Sequence, residues 1–238
     1  GDENHLESDK DGVMKKILAI ITAVAVAVTM MPVMAFAQGG AGSDSGIQLQ
    51  NPTVVEGVST WDCIYFGNYQ QGDSVQPIKW RVLEVKDTDD DGRIDDAFIL
   101  ADRIIEYQPY NTKNIGVTWE TCTLRSWLNN DFFNTAFTYV EQNSIRIARV
   151  VNNDNPQYPV EGGNDTEDKV FLLSLEEVRN SFYGFTSDTS RIARDLNNNA
   201  IYWLRSPGYI TSCAAHVNSY GYVADRGGSV SVAAYAVR

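Results

Sequence analysis

The sequence contains very little histidine. Its 238 residues include only His5 and His216, so a nucleophile that needs a histidine base has almost no candidates. Cys213 lies three residues before His216, and residues at an odd separation on an extended strand point to opposite faces. A local cysteine–histidine pair is therefore disfavoured. The sequence also lacks a phosphate-binding loop and a dinucleotide fingerprint, so we predict no catalytic residue.

Cysteine is scarce as well. Cys63, Cys122 and Cys213 are the three cysteines, too few for a disulfide framework and too far apart for a zinc motif. In an exported protein, two of the three cysteines can form a disulfide and leave one free thiol. The alternative is that all three are buried thiols. The pairing stays open at this point.

Basic residues are outnumbered by acidic ones. Nineteen Lys and Arg stand against 31 Asp and Glu, which gives a net charge of −12. Nucleic acids and anionic membrane surfaces attract proteins that carry a basic field. We therefore expect neither of them as a partner.

The sequence contains only one long apolar run, which lies near its start. Residues 14–37 contain two lysines, an apolar stretch and an Ala-Phe-Ala site, which is the order of a secretory signal peptide. The alternative is a membrane anchor, because the run approaches the roughly 20 residues that span a bilayer, but Pro32 and the Ala-Phe-Ala site favour cleavage. We predict an upstream segment (1–13), a linker (38–46) and one domain (47–238), in a protein that is secreted or held at the cell surface.

The remaining sequence alternates between strand and helix patterns. Residues 62–67, 78–85 and 97–101 are strand-like, and residues 78–85 alternate with period two. Apolar residues recur at three-to-four spacing over residues 123–138, and residues 175–182 predict a shorter helix with Ser174 as its N-cap. These patterns predict an α+β domain with twisted antiparallel sheets and two main helices.

An acidic segment between two of these strands has the spacing of a calcium loop. Its carboxylates occupy loop positions one, three, five and nine, with Gly92 at position six. Position twelve, where a bidentate glutamate is expected, is Phe98. The alternative is a solvated, turn-forming hairpin tip. The segment indicates calcium as a possible cofactor, with Asp87, Asp89, Asp91 and Asp95 as its candidate ligands.

The segment YWLRSPG, residues 202–208, ends a strand at a Ser-Pro-Gly break. Alternation places Trp203 and Arg205 on one face, where a guanidinium can stack on an indole or bind carbonyls and a carboxylate. We predict structural roles for both residues in preference to ligand contact. Trp80 and Trp127 are predicted to be structural as well.

The sequence after residue 208 has a strand pattern but many polar residues. Four valines, at 217, 223, 230 and 232, suit an inner face. Tyrosine, serine and asparagine on an outer face are typical of adaptable recognition surfaces, although an ordinary solvated sheet face has the same pattern. The residues expected outward or in turns are His216, Asn218, Tyr220, Tyr222, Asp225, Arg226, Ser229 and Ser231.

Several motifs in this order resemble a family of exported domains from Gram-positive gut bacteria. They are IYFGNYQ (64–70), PIKWRVL (77–83), LRSWLN (124–129), DKVFLLS (168–174), WLRSPG (203–208) and AVR (236–238). The resemblance implies a C-type-lectin-like fold related to formylglycine-generating sulfatase-modifying domains and to the variable proteins of diversity-generating retroelements. It also implies that residues 216–235, including Tyr235, display the ligand-facing positions.

The sequence departs from these relatives in three ways. The calcium-dependent sugar motifs of true C-type lectins are missing, and the paired cysteines of formylglycine-generating enzymes are not matched. Members of the resembled family continue after Val-Arg with Pro-Ala-Leu, so we expect the domain to be truncated at its C-terminus. The leading hypothesis is a binding module for an extracellular protein or glycan. The alternatives are an exported formylglycine-generating-like enzyme using Cys213 or an acidic cleft, and a structural module of an envelope protein.

Overall fold

A computed structural model describes residues 27–29, 48–196 and 198–238. The predicted upstream segment and linker lie outside the described residues. So does the predicted signal peptide, apart from Ala27–Thr29, which forms a strand. Within the described residues, no helix has the length and apolar character required to cross a membrane.

Most of the regular structure is β-strand. The strands are β1 (Ala27–Thr29), β2 (Thr53–Val55), β3 (Val58–Thr60), β4 (Cys63–Gln71), β5 (Ser74–Lys86), β6 (Asp96–Ala101), β7 (Glu106–Tyr107), β8 (Ala148–Val150), β9 (Thr166–Asp168), β10 (Ala193–Arg194), β11 (Asn199–Ala200), β12 (Tyr202–Pro207), β13 (Cys213–Val217), β14 (Val223–Ser229) and β15 (Ala236–Val237).

Helices are short. They are α1 (Thr123–Trp127), a π-helical turn (Leu128–Phe132), α2 (Phe133–Ala136), α3 (Tyr139–Ser144) and α4 (Asp188–Arg191), with 3₁₀ turns at Glu177–Arg179 and Ser181–Tyr183.

The first sheet has the strand order β1-β6-β5-β4, and all its pairs are antiparallel. Alternation along β5 buries Ile78, Trp80 and Val82, as the period-two pattern predicts. The indole Nε1 of Trp80 donates a hydrogen bond to the carbonyl of Phe66, 2.7 Å away. The predicted hairpin between β5 and β6 is confirmed, with the acidic segment at its tip.

The second sheet has the order β14-β13-β12-β15-β7 and is antiparallel except for the parallel pair β12–β15. Its central strand β12 is buried along its whole length. Trp203 packs into one hydrophobic cluster, while Tyr202 and Leu204 pack into a second one on the opposite face. This strand therefore separates the two parts of the core, and β14 is left as an edge of the sheet.

The first expected helix is present but interrupted. Leu124, Leu128 and Phe132 form its buried face, and the π-helical turn lies between α1 and α2. The side chain of Asn129 accepts hydrogen bonds from the N–H groups of Lys169 and Val170. It also donates to the Val170 carbonyl at 2.8 Å, so this turn is tied to the chain that follows β9.

The prediction of an α+β, C-type-lectin-like fold with two main helices is wrong. Strands account for 35% of the structure and helices for 16%, in several small sheets and with only short helices. The second expected helix, over residues 175–182, is replaced by two 3₁₀ turns. Asn180 accepts a hydrogen bond from the Phe182 N–H at 2.9 Å, and asparagine side chains that bond locally compete with helix continuation.

Candidate functional site

The loop between β13 and β14 presents two tyrosines to solvent. The Asn218 Oδ1 accepts hydrogen bonds from the N–H groups of Tyr220 (2.9 Å) and Tyr222 (3.0 Å). Gly221 has φ +87°, and a Cβ atom there would lie 1.8 Å from the Asp188 carbonyl oxygen. The conformation of the loop is thus fixed by the Asn218 side chain and by the contact of Gly221 with the Asp188 carbonyl. Tyr220 and Tyr222 remain 78% and 58% exposed.

Strand β14 contains a bulge next to this loop. Its register with β13 shifts between the pairs His216–Ala224 and Ala214–Gly228. Gly227 has φ +71°, and a Cβ atom there would lie 2.2 Å from the Ala214 carbonyl oxygen. Bulges re-aim side chains at sheet edges. Here the bulge carries the adjoining residues Asp225 and Arg226, and Arg226 is exposed.

Asp225 is held in an ion pair. Its two carboxylate oxygens accept hydrogen bonds from the Arg179 guanidinium at 2.8 and 2.6 Å. The hydrogen bond to Asp225 is the largest cause of a raised pKa for Arg179, and the Tyr222 hydroxyl adds to it. Arg179 therefore lies beside the bulge that carries Asp225.

Arg226 makes a different contact. Its guanidinium carbon lies 4.3 Å from the ring centre of Tyr209, and the Tyr209 N–H donates to the Arg226 carbonyl at 3.0 Å. The ring of Tyr158 meets the ring of Tyr209 edge-on, with 6.2 Å between centres. The three side chains form one cluster, which we call the Arg226 cluster.

The buried side chain of Asn155 joins the segments that carry this cluster. Its Nδ2 donates to the carbonyls of Pro207 (2.7 Å) and Asp225 (2.9 Å). Its Oδ1 accepts from the Gln157 and Tyr158 N–H groups. One amide thus connects the end of β12, the bulge in β14 and the segment containing Tyr158.

The serines and the last tyrosine of the predicted face are engaged internally. The Ser229 hydroxyl donates to Asn114 Oδ1 at 3.0 Å and lies 3.3 Å from the Ser231 hydroxyl. Tyr235 is half-buried, with its ring centre 4.6 Å from that of Trp203. The side chains of Ser229 and Tyr235 therefore contact other residues of the protein instead of adding to the exposed face.

His216 does not lie on the outward face expected for it. It is 9% exposed, and its ring centre lies 4.8 Å from that of Tyr235. Burial lowers the pKa of the imidazole below its ordinary value. Both faces of strand β13 are buried, because Ala214 packs into the first hydrophobic cluster and Ala215 and Val217 pack into the second.

The YWLRSPG strand supports the core. The Trp203 Nε1 donates to the Gln108 carbonyl at 2.9 Å. Arg205 pairs with Glu177 through two hydrogen bonds, and it donates to the Leu172 carbonyl at 2.7 Å. Its guanidinium lies over Phe171, at 5.6 Å, and not over the indole of Trp203. Arg205 therefore connects β12 with the turn that contains Glu177.

The other predicted structural tryptophan, Trp127, is half-buried and packs at 5.6 Å from the Phe132 ring centre. It lies on the helical segment and takes no part in the C-terminal face.

The acidic loop brings three of its four candidate calcium ligands together. Carboxylate oxygens of Asp87, Asp89 and Asp95 lie within 4.8 Å of one another, while the Asp91 carboxylate accepts from the Arg93 N–H at 2.8 Å. Desolvation acts to raise the pKa of Asp87, but hydrogen bonds from the Gly92 and Asp91 N–H groups leave it lowered.

Position twelve of this loop offers no ligand. The Phe98 ring stacks on Phe171, with 5.9 Å between centres, and meets the Tyr183 ring edge-on at 5.4 Å. The residues present supply three converging carboxylates and no bidentate glutamate, so they fit a weak oxygen-ligand site at most. Calcium binding stays a prediction.

All three cysteines are free thiols. Burial raises the pKa of Cys122 to about 12, and its sulfur accepts from the Arg125 N–H at 3.4 Å, which caps α1. Burial also raises the pKa of Cys213. Activated cysteine nucleophiles have a lowered pKa, so the environment of Cys213 is the opposite of an activating one.

Sequence reasoning missed Arg179, Tyr209, Tyr158 and Asn155. Tyr209 directly follows the Pro207-Gly208 break that the sequence marked, so its position had a signal. Nothing in the local pattern identifies the other three, since they come to this face from separate segments.

Fold and surface together define a strand-rich domain with an aromatic, arginine-containing face at its C-terminal sheet. A family model described as Domain of unknown function (DUF6273) matches residues 95–238, and the chain belongs to this family. The match includes the whole of the second sheet. No curated protein and no solved structure matches the chain. The match confirms that the chain belongs to a family of domains of unknown function. The relations to sulfatase-modifying and retroelement proteins that the motifs imply stay predictions.

Proposed function

We propose that this protein is a secreted or surface-displayed, non-enzymatic binding module that recognises an extracellular protein or glycan through its C-terminal face. This face consists of Asn218, Tyr220, Tyr222, Asp225 and Arg226, which lie on the loop between β13 and β14 and on the adjoining bulge. The observation that carries the proposal is the pair of exposed tyrosines, Tyr220 and Tyr222, on a loop closed by the Asn218 side chain.

Rigid exposed tyrosines suit binding for a physical reason. A tyrosine supplies a large amphipathic contact area and loses little conformational entropy when it is immobilised. Because both backbone N–H groups are bonded to Asn218, the loop also loses little freedom on association. Preorganisation of this kind lowers the cost of binding.

The secreted location follows from the signal-peptide pattern in residues 14–37. It is tested by expressing the whole coding sequence in a Gram-positive host and determining the N-terminus of the protein in the medium or cell wall. We expect the chain to begin at Gln38. An N-terminus that retains the apolar run would contradict the proposal of secretion.

We also propose a relation to the variable proteins of diversity-generating retroelements, on the sequence motifs alone. Deep sequencing of codons 202–238 across one bacterial population tests it. We expect variation at adenines in the codons of the C-terminal face. An invariant segment would leave a fixed binding module.

The enzyme alternative, related to formylglycine-generating domains, has no support from its candidate nucleophile. The raised pKa of Cys213 keeps its thiol protonated near neutral pH. A structural role in a larger envelope protein has no specific observation in its favour, so the binding module is the function we put forward.

The binding experiment compares the tyrosine pair of the C-terminal face with one exposed tyrosine elsewhere on the protein. Full-length protein is screened against immobilised glycans and against a random peptide library, and each hit is remeasured with the variant Y220S/Y222S. The control is Tyr139→Ser, because Tyr139 is 79% exposed and lies on α3, outside the C-terminal face. We expect the double variant to weaken binding at least tenfold and Y139S to leave it unchanged. Equal binding by the double variant and the wild type would exclude this face.

A further inference from the structure

The Arg226 side chain is exposed, and its guanidinium has no carboxylate partner among the residues that the structure describes. Its guanidinium stacks on Tyr209 at 4.3 Å, which occupies one face of the planar group. Stacking leaves the N–H groups at the edge of the plane available, and they form the fork that matches a carboxylate. Among residues 48–196 and 198–238, no carboxylate oxygen lies within 4.0 Å of this guanidinium.

The nearest acid along the chain is already engaged. Asp225 receives two hydrogen bonds from Arg179, so its carboxylate is committed on the neighbouring side of the bulge. The charge of Arg226 is therefore not neutralised by its own strand. In the described part of the chain, Arg93 is also exposed and also has no carboxylate within 4.0 Å, but its guanidinium does not lie over an aromatic ring, whereas that of Arg226 lies over Tyr209.

The backbone beneath Arg226 is held in place from three directions. The Arg226 carbonyl accepts from the Tyr209 N–H, and the neighbouring Asp225 carbonyl accepts from Asn155. A Cβ atom at Gly208 would lie 2.7 Å from the Arg226 carbonyl oxygen, so this close approach needs glycine. Since backbone and ring both restrain Arg226, its binding would cost little entropy.

We propose that Arg226, supported by Tyr209, binds an aspartate or glutamate side chain of a partner protein through paired hydrogen bonds. This inference rests on the binding function proposed above and adds the chemical class of the ligand. Arginine–carboxylate pairs are frequently bidentate, and they are about twice as strong as neutral hydrogen bonds.

The residue types of the Arg226 cluster favour a protein over a small ligand or a short glycan. Small molecules bind in concave clefts. Five clefts in the described residues, with volumes from about 250 to 590 Å³, are lined by residues other than those of the Arg226 cluster. Arginine and tyrosine are the residues enriched where protein interfaces are strongest.

The net charge of the protein limits which partner surfaces can bind it. A strongly acidic protein would be repelled by a chain of net charge −12. We therefore expect the partner to present a single carboxylate within a neutral or basic surface.

The test uses a displayed library of random twelve-residue peptides against the full-length protein. We expect the selected peptides to share one Asp or Glu. Changing it to Asn or Gln, or using Arg226→Gln protein, is expected to weaken binding about tenfold or more, as the loss of a charged hydrogen bond implies. Arg226→Lys is expected to restore it only in part, because an ammonium lacks the fork. The control is Arg93→Gln, which removes another exposed arginine.

Each outcome separates the two proposals. Peptides that depend on Tyr220 and Tyr222 but bind R226Q as well as wild type would overturn the inference and leave the binding function standing. Peptides insensitive to all three positions, or the absence of any selected peptide, would overturn both. Displacement of the peptides by millimolar inorganic phosphate would show that the fork selects phosphate, and the carboxylate assignment would be wrong. Equal urea midpoints for R226Q and wild type confirm that the variant is folded.

Discussion

The guanidinium of Arg226 and the ring of Tyr209 are stacked at 4.3 Å, and the same two residues share a backbone hydrogen bond of 3.0 Å. One residue belongs to the bulge of edge strand β14, and the other follows the end of β12. Two layers of contact, one of side chains and one of backbone, therefore join the edge of the sheet to its central strand. The exposed face is consequently fixed to the most deeply buried part of the domain.

The loop between β13 and β14 depends on one side chain. We expect Asn218→Ala to lower the free energy of unfolding by about 1–2 kcal/mol, because two hydrogen bonds to backbone N–H groups are lost. Urea denaturation measures the stability, and hydrogen exchange measures protection of the two amides. The control, Asn143→Ala, replaces an exposed asparagine within α3 and is expected to be neutral or slightly stabilising, because alanine favours helix. Unchanged exchange in N218A would contradict the role of Asn218.

The ion pair between Arg205 and Glu177 is expected to matter most when only one partner is removed. Glu177→Ala leaves the Arg205 charge buried, since that side chain is 4% exposed. We expect a loss of about 3 kcal/mol, at the lower end of the range because Glu177 reaches solvent.

The double variant R205M/E177L removes both charges and is expected to be less destabilised than E177A. Arg149→Ala provides the comparison, because its pair with Asp165 is largely exposed and such pairs contribute about 0–1 kcal/mol. Urea midpoints of the four proteins measure the difference. Equal losses for E177A and R149A would show that the buried pair is not required.

His216 makes stability sensitive to acid. Burial lowers its pKa in the folded state below the unfolded value near 6.5, so the unfolded chain takes up a proton first. The contribution is fully present above pH 6.5, and it is lost as the pH falls from there towards the folded pKa. One such group gives a slope of at most about 1.4 kcal/mol per pH unit.

Urea unfolding at pH 7.5 and pH 5.5, with wild type and His216→Gln, measures this effect. We expect the variant to lose less stability on acidification, whatever its stability at pH 7.5. An equal loss in both proteins would assign the acid sensitivity to other groups.

The acidic loop is expected to bind calcium weakly, with a dissociation constant of about 1 mM. Three carboxylates converge there without a bidentate glutamate. Isothermal titration with calcium chloride measures the binding. Asp87→Asn is expected to abolish it, and Asp73→Asn, at an exposed site outside the loop, to leave it intact. Binding that persists in D87N would place the ion elsewhere.

Local sequence patterns were sufficient to predict several secondary-structure elements. The period-two pattern of β5 and the turn residues of the acidic segment predicted a hairpin that is present, and the spacing of Leu124, Leu128 and Phe132 predicted the helical segment. These features depend on neighbours along the chain. The expected helix over residues 175–182 is not formed, because the Asn180 side chain accepts a hydrogen bond from the Phe182 N–H, a local effect that the apolar pattern does not reveal.

The sequence by itself determined the charge of the protein, the scarcity of catalytic groups, the position of the acidic hairpin tip and the polar character of the C-terminal segment. Only the tertiary structure decided which polar residues face solvent. His216 is buried because the Tyr235 ring packs against it, and Tyr220 is exposed because it lies in the loop beyond the end of β13. Arg179, Asn155 and Tyr158 reach the same face through contacts between residues far apart in sequence, and no local periodicity encodes such contacts.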